Sequence, residues 1–477
     1  MKGFFMIKEI KFNEKSVLEN LKLDFSKTDG SISSYNTVVL AGDNGTGKTT
    51  ILELLASYLN VGSIEEFEYI RYLVNQNIYK IVPIDDSESQ NGFHYRLNET
   101  DDNSSQEAIR CTKTINRNNL DMDLADLRHY GFSYSKARSG FKTQKVQSTK
   151  TEQIDSERYN DDSNDDYTAI KQLLVDLKMQ DDNELARIAE TNGSIPPADY
   201  VAFKQASKLY RFERAFNNFF DDLKFVGIDN SDSKEIQIIF EKFGKKISID
   251  RLSTGEKQIV FRGAQLLRNA NSISGGVVLV DEPELSMHPK WQSRILSFYR
   301  GLFNKNGIQD VQMIIATHSE YVLREALEDL DNTLIIVLKN ENGIIHPRKI
   351  VAPSVLPTLT AAEINYLAFN IVSTDYHIQL YGYLQSQIKE DCTVKECDSY
   401  IAAQNTLFDP ELHNYNSFHK LKNGQKITYQ TLPTFIRNLI DHPKPDQCFT
   451  EKQLKISTEL LVNLCTSRSE EKSCGNN

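Results

Sequence analysis

The sequence predicts an α/β fold built on a parallel sheet, with a helical region at its C-terminal end. Three stretches carry that expectation. "TVVLAG" is a short apolar run that passes straight into "DNGTGKTT" and then into a helical pattern. "GGVVLVDEP" and "VQMIIATHS" are two further apolar runs, each ending in polar or charged residues. Short continuous apolar runs of this kind mark strands buried on both faces, as parallel strands are.

The elements follow in order. "MIKEIKF" reads as a first strand, its apolar positions Ile7, Ile10 and Phe12 only partly in phase. "KTTILELLASYL" carries apolar residues at helical spacing, at Ile51, Leu54, Leu55, Tyr58 and Leu59. Residues 61–130 are mixed in pattern, with polar stretches such as "ETDDNSSQ". Residues 168–225 read as a helical insertion, in which "AIKQLLVDLKM" and "DYVAFKQASKLYRFERAFNNFFDDL" are separated by the turn "NGSIPP". At about 1.5 Å per residue these helices span only a few tens of ångströms, so the insertion is a short lid and not a long arm. "EIQIIFEKFGKKISID" alternates and reads as a hairpin. "NTLIIVLKNENGIIHPRKI" is a second hairpin turning at "NENG". The expected division is a head over residues 1–350, lid included, and a mainly helical domain over 351–477.

Composition bounds the class. The 477 residues, 39% apolar and 25% charged, suit a globular protein of two or three domains. No run of 18 apolar residues occurs, so no membrane-spanning helix is expected. The start has no apolar core of signal-peptide length, which points to the cytoplasm. The cysteines (Cys111, Cys392, Cys397, Cys448, Cys465, Cys474) are scattered, without paired zinc-ligand spacing, and read as reduced thiols. The net charge of −11 argues against a surface generally coated for nucleic acid, while leaving room for a local contact. Residues 133–150 hold five basic side chains and no acidic one, and residues 151–167 hold seven acidic side chains and one basic. The change of sign reads as a solvated segment, in which Lys136, Arg138, Lys142 and Lys145 are candidates for a polyanion contact.

The chemistry lies in four motifs. Residues 42–49, "GDNGTGKT", have the spacing of a phosphate-binding loop between a strand and a helix. Gly42, Gly45 and Gly47, with Asn44 among them, let backbone N–H groups turn inward around phosphate oxygens. The helix that follows adds its positive N-terminal end. Lys48 brings a point charge to the β- and γ-phosphates, the Thr49 hydroxyl reaches Mg²⁺, and Thr50 completes the set expected to bind the nucleotide. ATP and Mg²⁺ are the implied ligands. Next, "VVLVDEPELSMHP" delivers Asp281 and Glu282 to the sheet edge where open α/β folds bind ligands. Asp281 can hold the metal, directly or through water, and Glu282 can polarise the water that attacks the γ-phosphate. Third, "DRLSTGEKQIV" opens a helix with Ser253 as N-cap and Glu256 closing a capping box. The same helix start, with Gly255 exposed, is an anion site that can take a γ-phosphate from another subunit; the two readings are compatible. Fourth, "MIIATHSEYVL" puts His318 at the end of another buried strand, within reach of the γ-phosphate; a single histidine after a strand is also a common surface feature.

In this order, the loop, "LSTGEKQ", "VDEPELSMHP" and "ATHS" resemble the ABC-type P-loop ATPase heads of the RecF/SMC class over about residues 6–345. The resemblance implies that ATP is sandwiched between Lys48 of one subunit and Ser253 of another, in a homodimer or higher oligomer. It also implies an interface role for Leu285 and Ser286 and a switch role for His318. The signature departs from the transporter form: Thr254 stands where glycine is usual, and Glu256 follows Gly255. Gln144 and Gln147 lie in the region of the family's Q-loop, and nothing in the sequence selects between them. The lid is too short for an SMC or double-strand-break repair arm, which counts against a DNA-repair clamp, and no membrane domain supports transport. "YSKARSGFKTQ", with "DEPELSMHPKWQ" and "ATHSEYVL", further resembles the stand-alone ATPases of prokaryotic anti-phage systems, of the Septu and retron-associated type. That resemblance implies control of a separately encoded nuclease, of HNH type or other. Residues 352–477 read as helices, so a built-in Toprim nuclease is not expected.

One stretch of the C-terminal region keeps an alternative open. In "TLPTFIRNLIDHPKP", Arg437-Asn438 and His442 resemble the Arg-Asn…His signature of HEPN ribonucleases. An ABC head with such a tail is the plan of phage-responsive anticodon nucleases, and implies catalysis by Arg437 and His442. The bland reading has His442 ending a helix before Pro443 and Arg437 pairing with a neighbouring carboxylate.

Overall fold

The structure is a computed structural model of the chain. It describes every residue except 1–4, 29–30, 85–92, 101–105, 111–119, 121, 138–158, 162–167, 230–235, 269, 271–272, 306, 351–354, 421–425 and 475–477. The chain divides into two compact units, residues 1–349 and 350–477.

In the first unit the strands begin with β1 (Phe5–Phe12), β2 (Lys22–Asp24), β3 (Thr37–Gly42), β4 (Phe67–Val74), β5 (Asn77–Pro83), β6 (Phe93–Asn98) and β7 (Gln106–Arg110). There follow β8 (Phe132–Ser135), β9 (Tyr159–Asp161), β10 (Leu223–Asp229), β11 (Gln237–Lys242), β12 (Lys245–Ser248) and β13 (Val277–Asp281). A two-residue ribbon, β14 (Asn304–Lys305) and β15 (Ile308–Gln309), precedes β16 (Gln312–Thr317), β17 (Thr333–Glu341) and β18 (Ile344–Ile350). The central sheet runs β18-β17-β3-β16-β13-β8-β9. Its neighbours from β17 to β9 pair in parallel. Every residue of β3, β13 and β16 is buried, as their uninterrupted apolar runs predict. The register sets Asp281 beside Ala316, and Thr317 beside Ala41, so three strands end together at one edge.

A second, antiparallel sheet runs β2-β1-β4-β5-β6-β7. The stretch 67–110, mixed in pattern at the level of sequence, supplies four of its strands, of which β4 is largely buried and β5 half-exposed and therefore weakly patterned. The imperfect phase of β1 has a physical cause: a bulge between Ile7 and Glu9 shifts the pairing by one residue. That shift returns Ile10 and Phe12 to the side of Phe5 and Ile7, and all four join one core. The helix Lys48–Leu59 adds Ile51, Leu52, Leu55, Tyr58 and Leu59 to that core. Each such side chain contributes about 1.5–3 kcal/mol by leaving water. The lid consists of helices Thr168–Asn192, Pro197–Ala206 and Lys208–Phe219. It ends earlier than the expected residue 225, because Leu223 already pairs with Lys242 in a three-stranded sheet, β10-β11-β12.

The second unit packs helices Ala361–Phe369, Thr374–Ile388, Val394–Ala402, Leu432–Asp441 and Glu451–Cys474. Tyr376, Leu380, Leu384, Ile401, Leu461 and Leu464 lie in its main core. It also holds a hairpin that the helical reading lacks, β19 (Asn414–Lys420) with β20 (Lys426–Thr431). β20 is half-exposed and both strands are rich in polar residues, so their period is faint. The Tyr415 and Phe435 rings stack at 3.8 Å and seat the hairpin on helix Leu432–Asp441.

Candidate active site

The site lies at the C-terminal edge of the parallel sheet. Gly42 ends β3 with φ 148°, and a Cβ there would stand 2.3 Å from the Leu338 carbonyl oxygen, so the close approach of β17 requires glycine. Gly47 caps the helix in the left-handed region with φ 79°, against Leu18 and Ile345. Asp43, Asn44 and Gly45 form the exposed crest of the loop, and Thr50 is half-buried one turn into the helix. The Lys48 ammonium is buried and curls back over the loop. It donates to the carbonyls of Gly42 and Asp43, both at 2.8 Å, and to the Thr46 hydroxyl at 3.2 Å. Burial pulls Lys48 down to about 8, against the opposing effect of Asp281 and Glu282.

The Thr49 hydroxyl donates to Asp281, at 3.0 Å to Oδ2 and 3.2 Å to Oδ1. Burial pushes the Asp281 carboxyl up to about 6, with the Thr49 hydrogen bond pulling the other way. Glu282 follows at φ 44°, a left-handed turn that swings its half-exposed carboxylate out of line with the strand. Its Oε1 stands 3.6 Å from His318 Nε2. Burial and the nearby Lys48 charge hold His318 below its ordinary value, so the ring is neutral at pH 7.

Two residues that sequence reasoning passed over hold this arrangement. Arg262, buried on helix Thr254–Leu267, donates to the carbonyls of Asp281 at 2.7 Å, Glu282 at 2.8 Å and Lys136. Nothing local marks it, since it is one arginine in a helix that is buried nearly all round. Glu284 accepts from the Thr317 hydroxyl and the His318 backbone N–H, both at 2.8 Å, and so ties the loop after β13 to the end of β16. A second acid two residues after Glu282 was the available signal.

The capping box at Ser253 is present. The Ser253 hydroxyl accepts from Glu256 N–H at 3.4 Å and Glu256 Oε2 accepts from Ser253 N–H at 2.7 Å. Lys242 pairs with the other Glu256 oxygen at 2.5 Å. Burial raises this carboxyl, but Lys242 and Ser253 outweigh burial and hold it low. The expectation that Gly255 is exposed is wrong. It is buried, and a Cβ there would meet the Ser286 carbonyl oxygen at 2.8 Å and Trp291 at 3.2 Å. Its lack of a side chain serves close packing against the loop after Glu282. The exposed residues of this helix start are Ser253 and Thr254. Leu285 is half-buried, and Ser286 is exposed with φ 62°.

Of the basic segment, Lys136 sits just beyond β8; Arg138, Lys142 and Lys145 lie outside the described residues, as do Gln144 and Gln147. In the second unit Arg437 pairs with Asp441 at 2.8 Å and donates to the Asn438 side chain at 3.0 Å. His442 ends helix Leu432–Asp441 and is exposed. Cys392, Cys397, Cys448 and Cys465 form no disulfide, and the Cys465 thiol donates to the Leu380 carbonyl at 3.6 Å. Among the described residues no helix is long and apolar enough to cross a membrane.

The family model described as "AAA domain, putative AbiEii toxin, Type IV TA system" matches residues 38–324, from β3 through His318. The Retron Vc95 probable ATPase of Vibrio cholerae serotype O1 biovar El Tor is 24% identical over 382 residues, 65% of this chain and 72% of that protein. The Septu protein PtuA of Bacillus thuringiensis is 24% identical over 362 residues, 72% of this chain and 79% of that protein. Among solved structures, the Smc head bound to the C-winged helix domain of ScpA aligns at 13% identity and a TM-score of 0.38, covering 72% of this chain and 98% of that one.

Proposed function

The chain belongs to the family described as an AAA domain, putative AbiEii toxin, Type IV TA system, and from that premise we propose that it is an ABC-type ATPase that assembles around ATP and controls a partner nuclease in anti-phage defence. The meeting of Lys48, Thr49, Asp281, Glu282 and His318 at one sheet edge carries the ATPase reading. The defence setting rests on relatives named as a retron ATPase and a Septu protein.

In this reading the loop N–H groups and the helix start hold the β- and γ-phosphates, and Lys48 exchanges its carbonyl partners for phosphate oxygens. The donor set fits Mg²⁺: Thr49 and Asp281 offer hard oxygens 3.0 Å apart. When bound, Mg²⁺ neutralises charge on the phosphates. Glu282 accepts a proton from the attacking water, and His318 orients the Glu282 carboxylate and the γ-phosphate. Ser253 keeps its own hydroxyl proton while accepting from Glu256, so it can donate to the γ-phosphate of a second copy. Leu285 and Ser286 would border that contact. Residues 1–350 are the ATPase head in this reading, and 351–477 a mainly helical C-terminal domain.

The test is Glu282→Gln. ATP turnover falls roughly 10²- to 10⁴-fold, while ATP stays bound and a dimer accumulates by light scattering. Parent-like turnover would remove Glu282 as the base.

A further inference from the structure

Two-residue turns join β4 to β5, β11 to β12 and β17 to β18, and each has positive φ at both central positions. The pairs are Asn75–Gln76, Phe243–Gly244 and Asn342–Gly343. This is the type I′ hairpin turn, whose first position favours asparagine, aspartate or glycine. Two of the three turns start with asparagine. The third starts with Phe243, at φ 51° and 76% exposed. An aromatic ring there bears the strain of a left-handed backbone and leaves a large apolar face in water. Lys245 and Lys246 follow at once, both exposed and neither in an ion pair among the described residues. The cations and anions around the tip sort clearly. Glu241 lies across from Lys224 and Lys246, Asp221 is taken by Lys290 and Arg294, and Lys242 is taken by Glu256. The Phe243 N–H is held by the Asp222 carbonyl at 3.4 Å.

We propose that the β11–β12 tip is a contact for single-stranded nucleic acid, with Phe243 stacking on an unpaired base and Lys245 and Lys246 on the flanking phosphates. One ring beside two exposed cations, of which Lys246 shares Glu241 with Lys224, matches the repeating unit of a nucleic-acid strand, a π-face between two charged phosphates. A stable protein interface needs on the order of 1,000 Å² of buried surface, far more than one turn presents. The tip belongs to the three-stranded sheet β10-β11-β12. It also reaches the proposed ATP sandwich: the Lys242 ammonium is 6.0 Å from the Phe243 ring centre and pairs with Glu256 of the capped helix start. That last link rests on the ATPase reading; the binding contact does not.

The full chain is titrated against fluorescein-labelled oligothymidine by anisotropy, with oligouridine in parallel to tell DNA from RNA. Phe243→Asn keeps the turn and improves its backbone fit, so its melting temperature is unchanged or higher. Its affinity falls about 5- to 100-fold, the loss of one stacked base. Lys245→Gln with Lys246→Gln lowers the slope of log affinity against log salt by about 1.4, two phosphate contacts at about 0.7 each. Parent-like affinity in Phe243→Asn overturns the proposal. So does unchanged binding accompanied by loss of ATP-dependent self-association, which assigns the tip to a second copy of the chain. No readout needs ATP turnover, so failure here and failure of the Glu282 assignment are told apart.

Discussion

Each unit buries an aspartate, and the two are used in opposite ways. Asp398, in the second unit, accepts from the backbone N–H groups of Gln430 and Thr431 and from the Thr431 hydroxyl, at 2.9, 3.1 and 2.8 Å. Its oxygens are consumed in joining helix Val394–Ala402 to the end of β20. Asp281, in the first unit, holds one threonine hydroxyl, and its carboxyl is pushed up to about 6. A buried carboxylate with its donors supplied is architecture; one left short of donors at a sheet edge is poised for a ligand. The same contrast separates the histidines. His377 of the second unit is buried against Ser457 at 2.8 Å, while His318 faces Glu282 and the phosphate loop.

The largest expected effects split this pair of aspartates. Asp281→Asn lowers ATP turnover at least roughly 100-fold and leaves the melting temperature unchanged or higher, because it removes a poorly compensated buried charge. Asp398→Ala does the reverse: it orphans three donors, costs about 3 kcal/mol of stability in urea unfolding, and leaves turnover per folded chain intact. Equal losses of turnover in both variants would break the comparison. A smaller effect concerns pH. Burial pulls His377 down to about 3. The unfolded chain takes up that proton near pH 6.5 and the folded chain does not, so stability falls as pH drops through 6.5 towards 3, by about 2 kcal/mol at pH 5. His377→Gln therefore shows a shallower loss of melting temperature between pH 7 and pH 5. His94, also pulled to about 3, keeps the flattening partial. The smallest effect is at Arg437. Its half-exposed pair with Asp441 is worth under about 1 kcal/mol, and Arg437→Ala changes melting by no more than that. Cleavage of tRNA by the purified chain, abolished in His442→Ala, would instead establish the ribonuclease alternative.

Much of this was legible in the chain itself. Elements buried on both faces, such as β3, β13 and β16, announce themselves because every position is buried and an apolar run fills the middle of each strand. The phosphate loop is legible because positive φ at Gly45 and Gly47 and the close approach of Leu338 to Gly42 demand glycine at fixed spacing. The half-exposed strands β5 and β20 were not legible, since a strand open on one side needs few apolar residues. Gly255 was misread for a related reason. Its contact is with Ser286, far along the chain, and a helix-start motif carries no trace of what packs on it.

The sequence by itself determined the α/β class and the order of its motifs, because backbone turns and buried strands constrain residue type locally. The tertiary structure alone decided that Thr49 meets Asp281, that Arg262 grips the carbonyls of Asp281 and Glu282, and that Lys242 reaches Glu256. Those contacts join residues distant in the chain, and only the register of the sheets and the packing of the helices bring them together.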